Sequence, residues 1–263
     1  MTAEPEQLVV RAPIATLFAE PRVASAPISQ LLAGRVAEIC EERDDWYRIV
    51  GPDDYEGWMH RGYVARVEGD AASEHARATH ISLGCMTTTP DGRKRRMPLG
   101  AYLRDDEHIA SGDAIPVSEK GERFPSDVRA IARTAQLYFE GTSYIWGGVT
   151  PWGCDCSGLV QSVYWLHGTQ LNRDAWQQAS QGTKVDGTLM DAHVGDLLFF
   201  SDRVDQHITH VAISLGDCRL VHLALGRGGY GVERLDDSAD PYVRKLHERF
   251  VTARRILPLA NLD

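Results

Sequence analysis

The strongest constraint on the fold is a segment that passes from a polar turn into an apolar helix, between Trp152 and Gln161. Apolar residues continue at helical spacing to Leu166 and Gly168 stops the run, which predicts a helix that begins at about Cys156. A thiol at a helix N-terminus faces backbone N–H groups with no partner in the helix and the positive end of the helix dipole. Both effects favour the thiolate, the nucleophilic form of cysteine. The segment therefore predicts a catalytic cysteine at position 156.

The composition and net charge of the chain argue against some classes of binding partner. The chain has 263 residues and a formal net charge of -9, which argues against a nucleic-acid-binding surface and against an anionic membrane surface. No apolar stretch approaches the ~20 residues that span a bilayer. The first seven residues are acidic and lack an apolar core, so we predict no signal peptide and expect a cytoplasmic location.

The chain has five cysteines, an odd and low number that argues against a disulfide framework. Cys40 and Cys218 lie in segments of alternating apolar residues and are predicted to be buried.

Turn signals divide the chain into three predicted domains. Short strands separated by Gly, Pro and Asp turns predict one small β-barrel over residues 1–70 and a second over 71–122. In residues 123–263, helices come first, the earliest of them with Ser126 as its predicted cap, and a set of strands follows from about residue 196. Helices followed by an antiparallel sheet predict an α+β fold for this domain.

A cysteine nucleophile needs a base within hydrogen-bond reach, and the base needs an orienting partner. His210 lies in a predicted apolar strand, and His222 lies in the next strand beyond the Gly216-Asp217 turn. Adjacent antiparallel strands place both imidazoles on one face, so His222 would hold the tautomer of His210. A zinc site made of Cys154, Cys156, His210 and His222 is the competing chemistry, although zinc sites usually separate paired cysteines by two to four residues.

Two further residues near the cysteine have alternative interpretations. Tyr144 either ends a strand or donates its hydroxyl to a developing oxyanion. Asp155 either caps the Cys156 helix or, if it is not used as a cap, offers a carboxylate to a substrate ammonium.

The ordered set of motifs resembles the NlpC/P60 cysteine peptidases. The motifs are Tyr144-x-Trp146-Gly147-Gly148, Asp155-Cys156-Ser157-Gly158, Gly195-Asp196-Leu197-Leu198-Phe199-Phe200, His210-Val211-Ala212-Ile213, and His222. The resemblance implies a papain-like α+β domain in which Cys156, His210, His222 and Tyr144 are catalytic, with no cofactor and no metal. The N-terminal region is similar to bacterial SH3-type barrels, with Gly57-Trp58 as the typical late motif.

Barrels followed by this peptidase domain resemble, within the family, the γ-D-glutamyl-L-diamino acid endopeptidases of murein recycling. This resemblance implies hydrolysis of free murein tripeptides or tetrapeptides that carry an N-terminal L-Ala, with release of L-Ala-γ-D-Glu. It also implies that Asp155 binds the free amine and that Ser157 contacts the D-Glu. Tyr55 is the candidate for the contact that the first barrel makes where it closes the cleft beyond the L-Ala. The alternatives are a non-catalytic wall-fragment binding protein, a general wall hydrolase and an acyltransferase of the same fold.

Overall fold

The computed structural model describes residues 6–67 and 77–258. It separates into two compact units. The first comprises Met1–Lys120 with Trp146–Gly148, and the second comprises Gly121–Ile145 with Val149–Asp263. The predicted boundary between two barrels at residues 70 and 71 lies outside the described residues, so the predicted domain bounds stay a prediction. No described helix has both the length and the apolar composition that crossing a bilayer would require.

The described residues of the first unit form two antiparallel sheets. One has seven strands in the order β3-β2-β6-β5-β4-β1-β7, and in the other β8 pairs with β9, β10 and β11. The strands are β1 (Gln7–Val10), β2 (Ile14–Phe18), β3 (Pro27–Leu32), β4 (Val36–Arg43), β5 (Trp46–Val50), β6 (Glu56–His60), β7 (Val64–Arg66), β8 (Ala78–Thr88), β9 (Lys94–Met97), β10 (Tyr102–Arg104) and β11 (His108–Pro116). The first sheet closes on a core of small and branched apolar side chains that includes Leu8, Leu17, Ile49 and Met59.

The second unit places helices before a six-stranded antiparallel sheet, which confirms the predicted α+β fold. The sheet order is β14-β19-β15-β16-β17-β18. The helices are α1 (Lys120–Arg123), α2 (Val128–Phe139), α3 (Cys156–Leu166), α4 (Ala175–Gln178) and α5 (Pro241–Arg249). The strands are β12 (Val149–Thr150), β13 (Gly153–Cys154), β14 (Thr183–Val185), β15 (Leu197–Phe200), β16 (His210–Gly216), β17 (Arg219–Ala224), β18 (Gly229–Arg234) and β19 (Phe250–Arg255). Short 3-10 turns span Arg61–Tyr63, Val117–Glu119, Leu189–Asp191 and Leu225–Arg227.

Helix α3 begins at Cys156, as the sequence predicts, and packs against β16. It is apolar on nearly all sides because it lies in the interior: Leu159, Val160 and Val163 are fully buried. Tyr164 is buried too, and its hydroxyl donates to the carbonyl of Gly195 at 2.6 Å. The packing of α3 on β16 brings the start of the helix to the strand that carries His210.

Strands β16 and β17 form a tight hairpin. Gly216 pairs with Arg219, so the loop has only two residues, Asp217 and Cys218, and both have positive φ, at 50° and 54°. This is the backbone of a type I′ turn, whose twist matches that of the flanking strands. The hairpin fixes which residues of β16 and β17 share a face.

Three sequence predictions about this architecture are wrong. Asp127, and not Ser126, caps α2, because its side chain accepts from the N–H of Ala130 at 2.8 Å. Cys40 is exposed, because the outer part of β4 has solvent on the face to which this residue points. Cys218 is only partly buried, because it lies in the hairpin turn and not in a strand.

Candidate active site

Cys156 is the first residue of α3, and its position is fixed by the cap of that helix. Asp155 caps α3 by accepting from the N–H of Gly158 at 2.7 Å. The backbone N–H groups of Val211 and Ser157 lie near enough to the Cys156 thiol to lower its pKa. Since Val211 follows His210 in β16, the thiol lies beside the strand position of the predicted base.

The thiol of Cys156 is buried, with 6% of the residue exposed. Burial, together with the Asp155 carboxylate, raises the pKa of Cys156 to about 12, although the backbone N–H groups of Val211 and Ser157 and the Arg173 guanidinium oppose the shift. The helix start favours the thiolate, as the sequence predicts, but burial has the larger effect on the pKa of Cys156. Desolvation of the charge outweighs the backbone donors, so this cysteine needs a base to become a nucleophile.

The two histidines are joined as predicted. His210 Nε2 lies 3.0 Å from His222 Nδ1, and the ring centroids are 5.0 Å apart in an edge-on arrangement. Burial lowers the pKa of His210 well below its usual range, and His222 adds to this effect. His210 is thus a neutral imidazole at neutral pH, which is the state that can accept a proton. Because its Nε2 is bonded to His222, Nδ1 is the nitrogen that remains to act on a thiol.

A carboxylate and a guanidinium extend this pair, and the sequence reasoning missed both. His222 is fully buried, and its Nε2 lies 3.3 Å from Oε1 of Glu233. Arg227 donates to both oxygens of Glu233, at 2.8 and 2.7 Å, and also to Asp240 at 2.6 Å. The signal available in the sequence was weak: a single carboxylate in the apolar-alternating strand after His222.

A second buried network lies on the other side of the cysteine. Arg173, 1% exposed, donates to Asp155 Oδ1 at 3.0 Å, to Asp155 Oδ2 at 2.6 Å and to the Ser157 hydroxyl at 2.9 Å. The Ser157 hydroxyl in turn donates to Asp155 Oδ1 at 3.3 Å. Asp155 is therefore the helix cap and an ion-pair partner. The sequence reasoning gave no role to Arg173, since a lone arginine in a polar loop usually lies in solvent.

Tyr144 is held close to the cysteine by backbone pairing. It forms a parallel bridge with Cys154, and its N–H donates to the carbonyl of Gly228 at 3.0 Å. Burial raises the pKa of Tyr144, and the negative charges that Cys156 and Asp155 can carry raise it further. The phenol therefore keeps its proton and can act as a donor.

Cys154 and Tyr55 lie in surroundings that differ from those of the predicted catalytic side chains. Cys154 is fully buried, and its thiol donates to the carbonyl of Asp155 at 3.4 Å. Tyr55 lies in the first unit, half-buried against the core of the seven-stranded sheet, and its contact with substrate stays a prediction. Within residues 6–67 and 77–258, no three His, Cys, Asp or Glu side chains are grouped as a metal site would require, so the alternative zinc set is not assembled there.

Comparison with known proteins matches both units to described families. Residues 141–251 match the NlpC/P60 family and residues 15–65 match the bacterial SH3 domain. The chain is 35% identical over 259 residues to a gamma-D-glutamyl-L-lysine dipeptidyl-peptidase of Bacillus cereus, covering 88% of this chain and 75% of the relative. It is 26% identical over 267 residues to dipeptidyl-peptidase 6 of Lysinibacillus sphaericus, covering 90% and 95%.

A solved structure confirms the fold. The crystal structure of an NlpC/P60 family protein from Bacillus cereus superposes with a TM-score of 0.75 over 96% of this chain and all of that one, at 18% identity. The matched NlpC/P60 region contains the elements that carry Cys156, His210 and His222, and it follows a bacterial SH3 domain. With a relative at 35% identity across most of both chains, this protein belongs to the NlpC/P60 family.

Proposed function

We propose that this protein is a cysteine endopeptidase that hydrolyses the bond between γ-D-Glu and the diamino acid of free murein peptides and releases L-Ala-γ-D-Glu. Family membership and relatives named dipeptidyl-peptidases support a peptidase that acts on peptidoglycan-derived peptides. The observation that carries the chemistry is the 3.0 Å contact between His210 Nε2 and His222 Nδ1, which leaves Nδ1 of His210, on the strand against which the Cys156 helix packs, to act as the base.

In the proposed reaction, His210 Nδ1 takes the proton of the Cys156 thiol as the sulfur attacks the γ-carbonyl carbon of D-Glu. The oxyanion that forms accepts hydrogen bonds from the Tyr144 hydroxyl and the Cys156 backbone N–H. The C–N bond then breaks, and the imidazolium of His210 gives its proton to the leaving amine. Water, activated by the same imidazole, hydrolyses the thioester and restores the thiol.

Recognition of the free amine of L-Ala is part of the same proposal. The Asp155 carboxylate is the group proposed to contact it, Ser157 is proposed to contact D-Glu, and Tyr55 is proposed to contact the substrate beyond the L-Ala. Since Arg173 already neutralises most of the charge of Asp155, selectivity for the ammonium depends on a hydrogen bond to Asp155 more than on net charge. We also propose that the reaction takes place in the cytoplasm, where recycled peptides carry this amine.

The test is release of L-Ala-γ-D-Glu from L-Ala-γ-D-Glu-L-Lys and from the diaminopimelate tripeptide, in water without an acceptor. Cys156→Ala should abolish release while thermal unfolding is unchanged, and Cys218→Ala, which alters a partly buried thiol in the hairpin, should leave release intact. An active Cys156→Ala variant would refute the nucleophile. Tight binding without cleavage by the wild type would indicate a binding module, and cleavage only with an acceptor amine would indicate an acyltransferase.

A second comparison tests the substrate. Acetylating the N-terminal L-Ala should lower kcat/KM by roughly 30-fold or more, as expected when a buried polar group loses its partner at about 2–5 kcal/mol. Equal cleavage of the free and acetylated peptides would show that no pocket reads the amine. The function would then be general wall hydrolysis.

A further inference from the structure

Beyond the histidine pair, the protein contains a buried chain of acceptors and donors that ends at a carboxylate. We propose that Glu233 is a positioning residue, which fixes the proton positions on His222 and, through it, on His210. This inference rests on the proposed function, because it concerns how the base of that reaction is prepared.

The chemistry of each contact determines which imidazole nitrogen carries a proton. A carboxylate only accepts hydrogen bonds, so at 3.3 Å from Glu233 Oε1 the Nε2 of His222 carries the proton. In a neutral His222, Nδ1 then bears the lone pair and accepts from His210 Nε2–H across 3.0 Å. His210 is left with its lone pair on Nδ1, the nitrogen that must accept the proton of Cys156.

Without the Glu233 carboxylate, the opposite placement of the protons on the two imidazoles becomes equally available. His222 can then carry its proton on Nδ1 and donate to His210 Nε2. His210 must in that case hold its own proton on Nδ1, where it cannot act as a base. The Glu233 carboxylate does not touch the reacting sulfur, but through His222 it determines whether His210 can act as a base.

The surroundings hold Glu233 in the ionised form that this role requires. Burial would raise the pKa of Glu233, but the hydrogen bonds from His222 and Arg227 outweigh it and lower the pKa to about 2. Arg227 is itself fixed, since its guanidinium also pairs with Asp240 and lies 4.3 Å from the ring centre of Tyr242. The Tyr242 ring packs edge-on to His222 at 5.9 Å.

Space for this contact is provided by a glycine in β18. A Cβ at Gly231 would lie 3.1 Å from Glu233 Oε1 and 3.3 Å from His222 Nε2. Gly231 also pairs directly with His222 across the sheet. The strand thus presents Glu233 to the imidazole with no side chain at the intervening position.

A double-mutant cycle tests the proposal in the full-length protein. In the wild-type background, Glu233→Gln should lower kcat roughly 10–100-fold, the usual effect of losing a residue that orients a reacting histidine. An asparagine at position 222 has no tautomers, and its carbonyl can accept from His210 Nε2–H. In the His222→Asn background, Glu233→Gln should therefore change kcat by less than about 3-fold, since the coupling between contacting residues is lost. Asp236→Asn, which removes an exposed ion pair at the end of β18, is the matched control.

Two readouts separate the possible failures. Nitrogen-15 NMR of the imidazoles, which needs no substrate, should show His222 protonated on Nε2 in the wild type and a mixture of tautomers in Glu233→Met, which has no oxygen acceptor at this position. If Glu233→Met does not fold, Glu233→Leu supplies a second variant without an acceptor for the same measurement. An equal loss of kcat in both backgrounds, or an unchanged His222 tautomer, would overturn the positioning role. A wild type that cleaves no peptide would refute the proposed function, and the NMR result would still decide the role of Glu233.

Discussion

Replacing Arg173 with methionine should destabilise the second unit strongly, because it breaks a fully buried ion pair from one side. The side chains of Arg173 and Asp155 are only 1% and 7% exposed, and two hydrogen bonds, at 3.0 and 2.6 Å, join them. Arg173→Met removes the guanidinium that pairs with the buried Asp155 carboxylate. Loss of one partner from such a pair costs roughly 3–5 kcal/mol of the free energy of unfolding.

Because Asp155 also caps the helix that starts with Cys156, the damage should appear at the nucleophile as well. At about 2–4 °C per kcal/mol for a domain of this size, Arg173→Met should lower Tm by roughly 6–20 °C. Denaturant and thermal unfolding of the purified variants measure the effect.

The double variant Arg173→Met/Asp155→Asn is the matched control. Asparagine still caps the helix and carries no charge, so the double variant should recover most of the lost stability. If the double variant is as unstable as Arg173→Met alone, loss of the guanidinium from the buried Asp155 charge is not the cause of the instability.

Four further outcomes follow from the site. Iodoacetamide should alkylate Cys156 in the free protein roughly 1,000-fold more slowly at neutral pH than an ordinary cysteine of pKa 9.0, because burial raises its pKa to about 12; alkylation at the rate of an exposed thiol would contradict this. The kcat/KM should stay level as the pH falls to 6.5 and decline only well below it, because His210 must be unprotonated and its pKa is lowered; a midpoint above 6.5 would show a different base. Glu233→Gln should be less stable than the wild type at pH 7. The difference in the free energy of unfolding should shrink as the pH falls from 4.5 to about 2, because protonation of Glu233 removes the negative charge that the variant also lacks. A difference that grows over this range would contradict the prediction. Gly231→Ala should lower kcat strongly and Tm only slightly, because its Cβ would press on His222 and Glu233. Enzyme assays and calorimetry measure the two changes, and an unaffected kcat would contradict the prediction.

The sequence could predict those parts of the site that depend on local pattern. The start of α3 at Cys156 follows from the change between a polar turn and an apolar run, and the shared face of His210 and His222 follows from strand alternation. The histidine contact needed only the correct pairing of two adjacent strands.

The remaining features depend on contacts between distant segments, which a local pattern does not encode. Arg173 is buried because Asp155, 18 residues earlier in the chain, folds against it. Glu233 reaches His222 from the next strand of the sheet, and the raised pKa of Cys156 results from the burial that packing on β16 produces. The cap of α2 moved by one residue, from Ser126 to Asp127, because both side chains can cap a helix and only the tertiary fold selects one.

The two-residue turn at Asp217 and Cys218 also determines where this protein tolerates changes in length. Successive residues of a strand point to opposite faces, so adding or deleting one residue in the turn would move His222 to the far side of the sheet relative to His210. By contrast, Cys218→Gly should be accepted, since glycine is favoured at a φ of 54° in such a turn, and it would remove a competing thiol from chemical labelling of Cys156.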